Sequence, residues 1–257
     1  MNIDDSIVRS YLHGKDVYQE HWLFYQISDD HEYTFSKPSS DLKELVEETL
    51  NKTLHKLNNF QPFNEHLFTT LFPKWKELIK DVNIILSVGS PAPYDAMVRE
   101  HEGKEYMIFD LVRFLEYQKD GEDILSLIRQ MITHEITHVC VHHDYPIISS
   151  PYKEALRYIT FDEGFAHLLA YKENLETYNF QPIINEHYLN ARNTLTAALL
   201  ETDVQKQKGY LETSNCGSYW DKFAAISGKL YLASNINQLK DIYKSGPTEL
   251  LNKIIND

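Results

Sequence analysis

The chain has 257 residues, with 25 Lys and Arg against 38 Asp and Glu, a formal charge of −13 with histidine neutral. That balance argues against nucleic acid and anionic membranes as partners, because both are held by Lys and Arg. At 42% hydrophobic and 12% aromatic the chain is too apolar to be disordered, and its length suits one large domain or two lobes around one cleft.

The first forty residues are polar and aromatic and end at Lys37-Pro38-Ser39-Ser40. Asp41 then precedes Leu42, Leu45, Val46, Leu50, Leu54 and Leu57, the spacing of an amphipathic helix with Glu44 where a capping partner would sit. Leu67, Phe68, Leu71, Trp75, Leu78 and Ile79 make a second helical pattern, which Pro73 either breaks or starts. Val82–Val88 reads as a strand closed by Gly89-Ser90-Pro91-Ala92-Pro93, and Tyr106–Phe114 reads as another. Glu100–Glu105, with Gly103, reads as a turn. After Asp120-Gly121-Glu122-Asp123 a long helix runs to about His142. His143–Pro151 is a loop, Lys153 to about Leu175 is helical, and the rest is mainly helical with breaks near Gly209 and Asn215-Cys216-Gly217.

Cys140 and Cys216 are too few for a disulfide framework. Met1-Asn2-Ile3-Asp4-Asp5 is not a basic stretch leading into an apolar run, so no signal peptide is expected. No apolar stretch reaches membrane-spanning length. A cytoplasmic protein is expected. The acidic pairs Asp29-Asp30 and Glu47-Glu48 read as solvated faces.

Residues 134–138 read His-Glu-Ile-Thr-His. On a helix His134 and His138 share a face and can share a metal ion. Glu135 is rotated by about 100°, which puts its carboxylate beside the ion as a base for a bound water. Coincidence is the bland alternative. Against it, His134, His138, His142, His143 and His167 crowd into one short stretch of a clearly helical region. In projection Ile124, Leu127, Ile128, Met131, Ile132 and Val139 form one arc, with His134, Glu135 and His138 at its edge or inside it. Ser126, Arg129, Gln130, Thr133 and Thr137 lie opposite, and Cys140 falls on that polar side as an inert thiol. Imidazoles and a carboxylate aimed at a core must be paired, either by zinc or by a buried hydrogen-bond network.

Zinc would need a third ligand and an open position for water. Asp144 is one candidate, but Val141 stands where a glycine would let the chain turn back. His142 is another, but three histidines in a row along a helix span about 12 Å, so a supporting or cleft role fits it better. Glu163, in Phe161-Asp162-Glu163-Gly164-Phe165-Ala166, shares a helix face with Leu156, Ile159, Ala166 and Ala170 and can reach the two histidines across a helical hairpin.

His-Glu-x-x-His on one helix with Glu-Gly-Phe-Ala on the next resembles the gluzincin metallopeptidases, which include thermolysin-like, aminopeptidase N-like and smaller predicted zinc-dependent enzymes. The resemblance covers about residues 82–235 and is sharp over 131–170. It implies His134, His138 and Glu163 as zinc ligands, Glu135 as general base and a peptide or protein substrate. It also implies an edge strand that pairs with extended substrate, matched here by Tyr106–Phe114. The Tyr-containing helix that stabilises the oxyanion in such enzymes has a faint counterpart in Gly217–Ala224, with Tyr219 as the candidate. Two features depart from the family. The Gly-x-Met-Glu-Asn amine-binding motif of aminopeptidases is absent from the sequence. His167 stands where thermolysin-like enzymes carry an Asp that orients the first histidine; it reads equally as a cleft residue or as a packed helix histidine. Asp162 reads as a supporting partner or an exposed helix carboxylate.

The expected architecture is therefore α+β and mainly helical. A small mixed sheet lies beside the His-Glu-x-x-His helix, and a helical C-terminal lobe closes the cleft. The chain is expected to divide into an N-terminal helical region, residues 1–81, a catalytic core with the sheet and both zinc-ligand helices, residues 82–175, and a C-terminal helical lobe, residues 176–257. The rivals to a zinc peptidase are a zinc hydrolase of a non-peptide amide or ester, a non-catalytic zinc-binding or interaction protein, and a metal-free helical scaffold. The retained Glu135 weighs against a purely structural zinc, which would close with a fourth protein ligand and needs no base.

Overall fold

A computed structural model describes residues 1–15, 21–24, 35–91, 94–119, 123–146 and 151–257. The expected solvated pair Asp29-Asp30, the punctuation at residues 120–122 and the middle of the 143–151 loop lie outside the described residues. The described chain is mainly helical with one mixed four-stranded sheet. It forms two compact units, Met1–Gln61 with Lys76–Met131, and Pro62–Trp75 with Ile132–Asp257. These cut across the three stretches drawn from the sequence.

In the first unit β1 (Asn2–Asp4) is followed by α1 (Ser6–Leu12) and α2 (Lys43–Asn58). The turn before α2 is capped by Ser39, whose hydroxyl accepts from the Asp41 amide at 3.3 Å. Glu44 is exposed and the cap sits earlier than the sequence suggests. Helix α2 buries Val46, Thr49, Leu50, Thr53 and Leu57, and leaves Glu47 and Glu48 exposed. Strands β2 (Asn83–Ser87), β3 (Ala96–His101) and β4 (Lys104–Asp110) complete the sheet in the order β1-β2-β4-β3. The pairs β1–β2 and β2–β4 are parallel, and β3–β4 is antiparallel. The apolar run Ile84-Ile85-Leu86 is buried throughout, as a parallel strand covered on both faces requires. Glu102 and Gly103, both at positive φ (50° and 72°), make the tight β3–β4 turn.

Two expectations change here. Residues 1–81 are not purely helical: Asn2 pairs with Asn83, so the chain start is a strand of the sheet. Tyr106–Phe114 is not one strand and not an edge. It stops at Asp110, whose Oδ1 accepts from the amides of Val112 and Arg113 at 2.9 and 3.1 Å and so caps α5 (Leu111–Lys119). Its other oxygen accepts from the Ser90 amide at 2.7 Å. Because β2 and β3 flank β4 on both sides, no peptide can add there; among the described strands the edges are β1 and β3.

Helix α3 (Glu65–Leu71) ends before Pro73, and the short α4 (Trp75–Leu78) follows, so the proline breaks the second helical pattern. Helix α6 (Ile124–Asp144) carries the His-Glu-x-x-His motif, and α7 (Tyr152–Leu169) carries Glu163. Then come α8 (Leu189–Leu200), α9 (Val204–Ser214), α10 (Phe223–Ser234) and α11 (Leu239–Asn256). Gly209 does not interrupt α9. The break lies before it, where Asp203 caps the helix by accepting from the amides of Gln205 and Lys206.

The second unit is organised around α7 and α10, which pack on each other more extensively than any other described helix pair. Helix α10, and α7 from Thr160 onward, are buried nearly all round, so neither stretch shows a clean amphipathic stripe. Gly164 of α7 and Gly228 of α10 meet backbone to backbone. A methyl on Gly164 would come within 2.9 Å of Gly228 Cα, and one on Gly228 would overlap the Thr160 carbonyl oxygen. The glycine of Glu-Gly-Phe-Ala is thus a packing residue, and its neighbour Glu163 is turned away from that contact toward α6.

Gly228→Ala should lower unfolding free energy by about 1–3 kcal/mol through overpacking. Urea denaturation checks it; unchanged stability would mean that the helix contact is looser than described.

Candidate metal centre

All the residues of the site belong to the second unit. On α6 the buried side is formed by Ile132, Thr133, Ile136, Thr137, Cys140 and Val141. This corrects the projection from sequence. Thr133 and Thr137 face the core because their hydroxyls are satisfied there: Thr137 donates to the Thr133 carbonyl at 2.7 Å, and Thr133 accepts from the Phe63 amide at 3.1 Å. Cys140 is buried, not on a polar side, and burial pushes its thiol well above the usual range, which keeps it unreactive. His134, Glu135 and His138 lie just beyond this buried arc, half-exposed.

His134 and His138 bring their Nε2 atoms within 3.1 Å of each other. Glu163 Oε2 stands 3.6 Å from the first and 3.8 Å from the second. Tetrahedral ligands at zinc distances are separated by about 3.3 Å. The three atoms therefore already stand near the spacing of ligands on one ion. Their side chains are 21, 16 and 15% exposed, mostly withdrawn from water yet open on one side.

Each donor is aimed by a further group. The His134 ring hydrogen-bonds the Ala166 carbonyl, one turn of backbone beyond Glu163. His138 Nδ1 stands 2.8 Å from Asp162 Oδ1, and His142 Nε2 stands 3.0 Å from Asp162 Oδ2. Asn215 donates from Nδ2 to Glu163 Oε1 at 2.9 Å, which leaves Oε2 to face the imidazoles. Carboxylate and carbonyl partners of this kind set the tautomer and orientation of metal-binding histidines. Asp162 is buried between two histidines, so the reading of it as an exposed carboxylate falls away.

Among the described residues two groups of side chains could share an ion, His134 with Glu163 and His167, and His138 with His142 and Asp162. In the second group His142 hydrogen-bonds Asp162 Oδ2 at 3.0 Å, and His138 Nδ1 makes an ion-pair contact of 2.8 Å with the other oxygen that lacks hydrogen-bond geometry. That group is better described as the support for His138, whose Nε2 is left to join the first.

The charges of the site without metal follow from burial and neighbours. Burial drives His134 down to about 3, assisted by His138 and Lys222. Burial would lower His138 as well, but Asp162, Glu163 and Glu135 together outweigh it and push it up to about 10. Asp162 is held below the ordinary carboxylate range; the penalty of burial is overcome by His138 and His142. One proton thus sits on His138, between carboxylates, where a cation would otherwise sit. Glu135 is half-buried, and its carboxylate is close enough to act on His138.

Tyr219 meets the site at His167, ring to ring at 5.2 Å and 85°. Its hydroxyl accepts from Lys229 Nζ at 2.7 Å. Lys229 is fully buried on α10, over the Tyr171 ring at 3.3 Å. Sequence pattern alone assigns no role to Asn215 or Lys229. Asn215 marked only a helix break, and its contact spans 52 residues. Lys229 did carry a signal, a lone cation in the apolar run Ala224-Ala225-Ile226-Ser227-Gly228-Lys229-Leu230.

Comparison of the chain with protein-family models, curated proteins and solved structures returned no match.

Two measurements test these electrostatics. Metal ligands must be unprotonated. Zinc added to metal-free protein near neutral pH should therefore release about one proton, from His138, seen by calorimetry in buffers of different ionisation enthalpy; no release would mean that His138 is already neutral. Separately, burial pushes Lys229 down to about 6, against about 10.4 unfolded. Between those values the unfolded chain binds the extra proton, so this residue makes stability rise with pH, by at most about 1.4 kcal/mol per unit. The stability of Lys229→Met relative to the parent should be greatest at the acid end of that window. An equal difference at both ends, in urea titrations, would remove the buried amine as the cause.

Proposed function

We propose that this protein is a zinc-dependent hydrolase of peptide bonds, of gluzincin type, with His134, His138 and Glu163 as zinc ligands and Glu135 as general base. The observation that carries the reading is the convergence of two imidazole Nε2 atoms and one carboxylate oxygen at 3.1, 3.6 and 3.8 Å. The donor set fits the ion. Two nitrogens and one oxygen suit zinc and leave an open position, and no thiolate that would favour a closed structural site joins them. Two facing nitrogens cannot hydrogen-bond unless one is protonated, so a cation at their meeting point satisfies both.

Bound there, zinc would supply Lewis acidity, polarising a carbonyl and bringing a water's pKa toward neutrality. The chain's own residues divide the remaining work. Asp162 holds His138 through Nδ1, with His142 on its other oxygen. The Ala166 carbonyl holds His134, and Asn215 holds Glu163. Glu135, one residue along from His134 and off the ligand row, takes the proton of the attacking water and returns it to the leaving amine. Tyr219 is the candidate for oxyanion stabilisation, with its hydroxyl held by Lys229. The acidic surface favours basic or neutral peptides at the approach to the site. Among the described residues no helix is long and apolar enough to cross a membrane. We place the enzyme in the cytoplasm.

Metal analysis of the purified chain should find about one zinc per molecule, sharply reduced in His134→Ala and Glu163→Ala. Glu135→Gln should retain zinc and lose at least a hundredfold in cleavage of a peptide library. Zinc without cleavage of any peptide in the parent would point instead to a non-peptide amide or ester substrate, or to a binding role. A parent without zinc would end the reading.

A further inference from the structure

We propose that His167 is a fourth protein ligand of the same ion, so that α6 and α7 each contribute a pair of donors four residues apart. The inference rests on the metal-site reading above and changes its coordination. His134 and His138 form the pair on α6. Glu163 and His167 occupy the corresponding pair of positions on α7, one turn apart and on one face.

Three observations on the His167 ring point the same way. The residue is 9% exposed, and its Nε2 is buried with no hydrogen-bond partner. A buried nitrogen left without a partner is costly, and native interiors rarely leave one. This nitrogen is also aimed into the cluster. It lies 3.5 Å from Glu163 Oε2, the oxygen that faces His134 and His138, beyond a good hydrogen bond but close to the spacing of two ligands on one ion. Finally, the ring stands edge-on to His134, centroids 4.7 Å apart, and donor atoms of His134, Glu163 and His167 all lie within 4.8 Å of one another.

A supporting role of the kind Asp162 plays for His138 is already taken for His134 by the Ala166 carbonyl. An ion pair with Glu163 would need a charged ring. The 3.5 Å from His167 Nε2 to Glu163 Oε2 is longer than the charge-assisted hydrogen bond such a pair would form. A buried imidazole whose nitrogen makes no hydrogen bond and is directed at a carboxylate and a second imidazole is placed as a metal ligand would be. The resulting donor set is three imidazoles and one carboxylate. A water would then have to join as a fifth donor, which departs from the three protein ligands and one water of the usual catalytic centre.

X-ray absorption at the zinc edge, on full-length chain stripped with chelator and reloaded with zinc chloride, counts the imidazoles directly. The parent should have three, His167→Gln two, and His142→Gln three. His167→Gln should also bind zinc at least tenfold more weakly. Two imidazoles in the parent, or a third that disappears with His142→Gln and not with His167→Gln, would overturn the assignment while leaving the hydrolase reading intact. A parent that takes up no zinc would overturn both. If His167→Gln does not fold, the parent and His142→Gln still decide, since a third imidazole that survives loss of His142 is supplied by His167.

Discussion

Two imidazole nitrogens 3.1 Å apart and a carboxylate oxygen within 3.8 Å of each are directed at one small volume that water only partly reaches. Groups so placed cannot all be satisfied by one another, because two nitrogen lone pairs repel unless a proton or a cation lies between them. Without metal the proton is the answer, and it resides on His138, where three carboxylates hold it up to about 10. Much of what surrounds the site follows from managing this charge. Asp162 is shared between His138 and His142, Asn215 occupies the outward oxygen of Glu163, and the backbone at Ala166 takes His134.

The packing of the second unit makes the convergence possible. Helix α7 must serve two neighbours, lying against α10 and presenting Asp162, Glu163 and His167 to α6. The Gly164–Gly228 contact lets α7 and α10 approach until their backbones touch, so α7 is located by main-chain packing and not by side chains that could repack. On either side of Gly164 in sequence lie Glu163 and Phe165, one directed at the histidines and the other into the aromatic core with Phe161 and Tyr243. Around Lys229 the same helix α10 brings a buried amine to the Tyr219 hydroxyl, so the far wall of the site is also polar and paired.

The proposal of a hydrolytic and not a structural centre rests on the donor geometry, for two reasons. Glu135 sits off the ligand row with a carboxylate that has no place in a closed site, and sulfur takes no part. His167, if it joins the ligands as proposed, would alter the number of donors without taking the place proposed for Glu135.

His134, Glu135 and His138 were legible in the sequence because helical spacing is a local property: residues four apart share a face whatever the rest of the chain does. Glu163 was legible for a related reason, as an inward carboxylate on the next helix across a short loop. The apolar run Ile84-Ile85-Leu86 announced a buried strand in the same way. Tertiary structure decided the rest. The core side of α6 could not be read from hydrophobicity, since Thr133 and Thr137 are buried and satisfied by particular carbonyl and amide partners. The end of β4 depended on Asp110 turning to cap α5, and the strand identity of Asn2–Asp4 on a partner eighty residues away. Asn215 on Glu163, Lys229 on Tyr219 and the orphaned nitrogen of His167 are products of how helices pack. Periodicity along one chain segment specifies which residues face together. Which other segment they face is set by long-range packing, which no local pattern encodes.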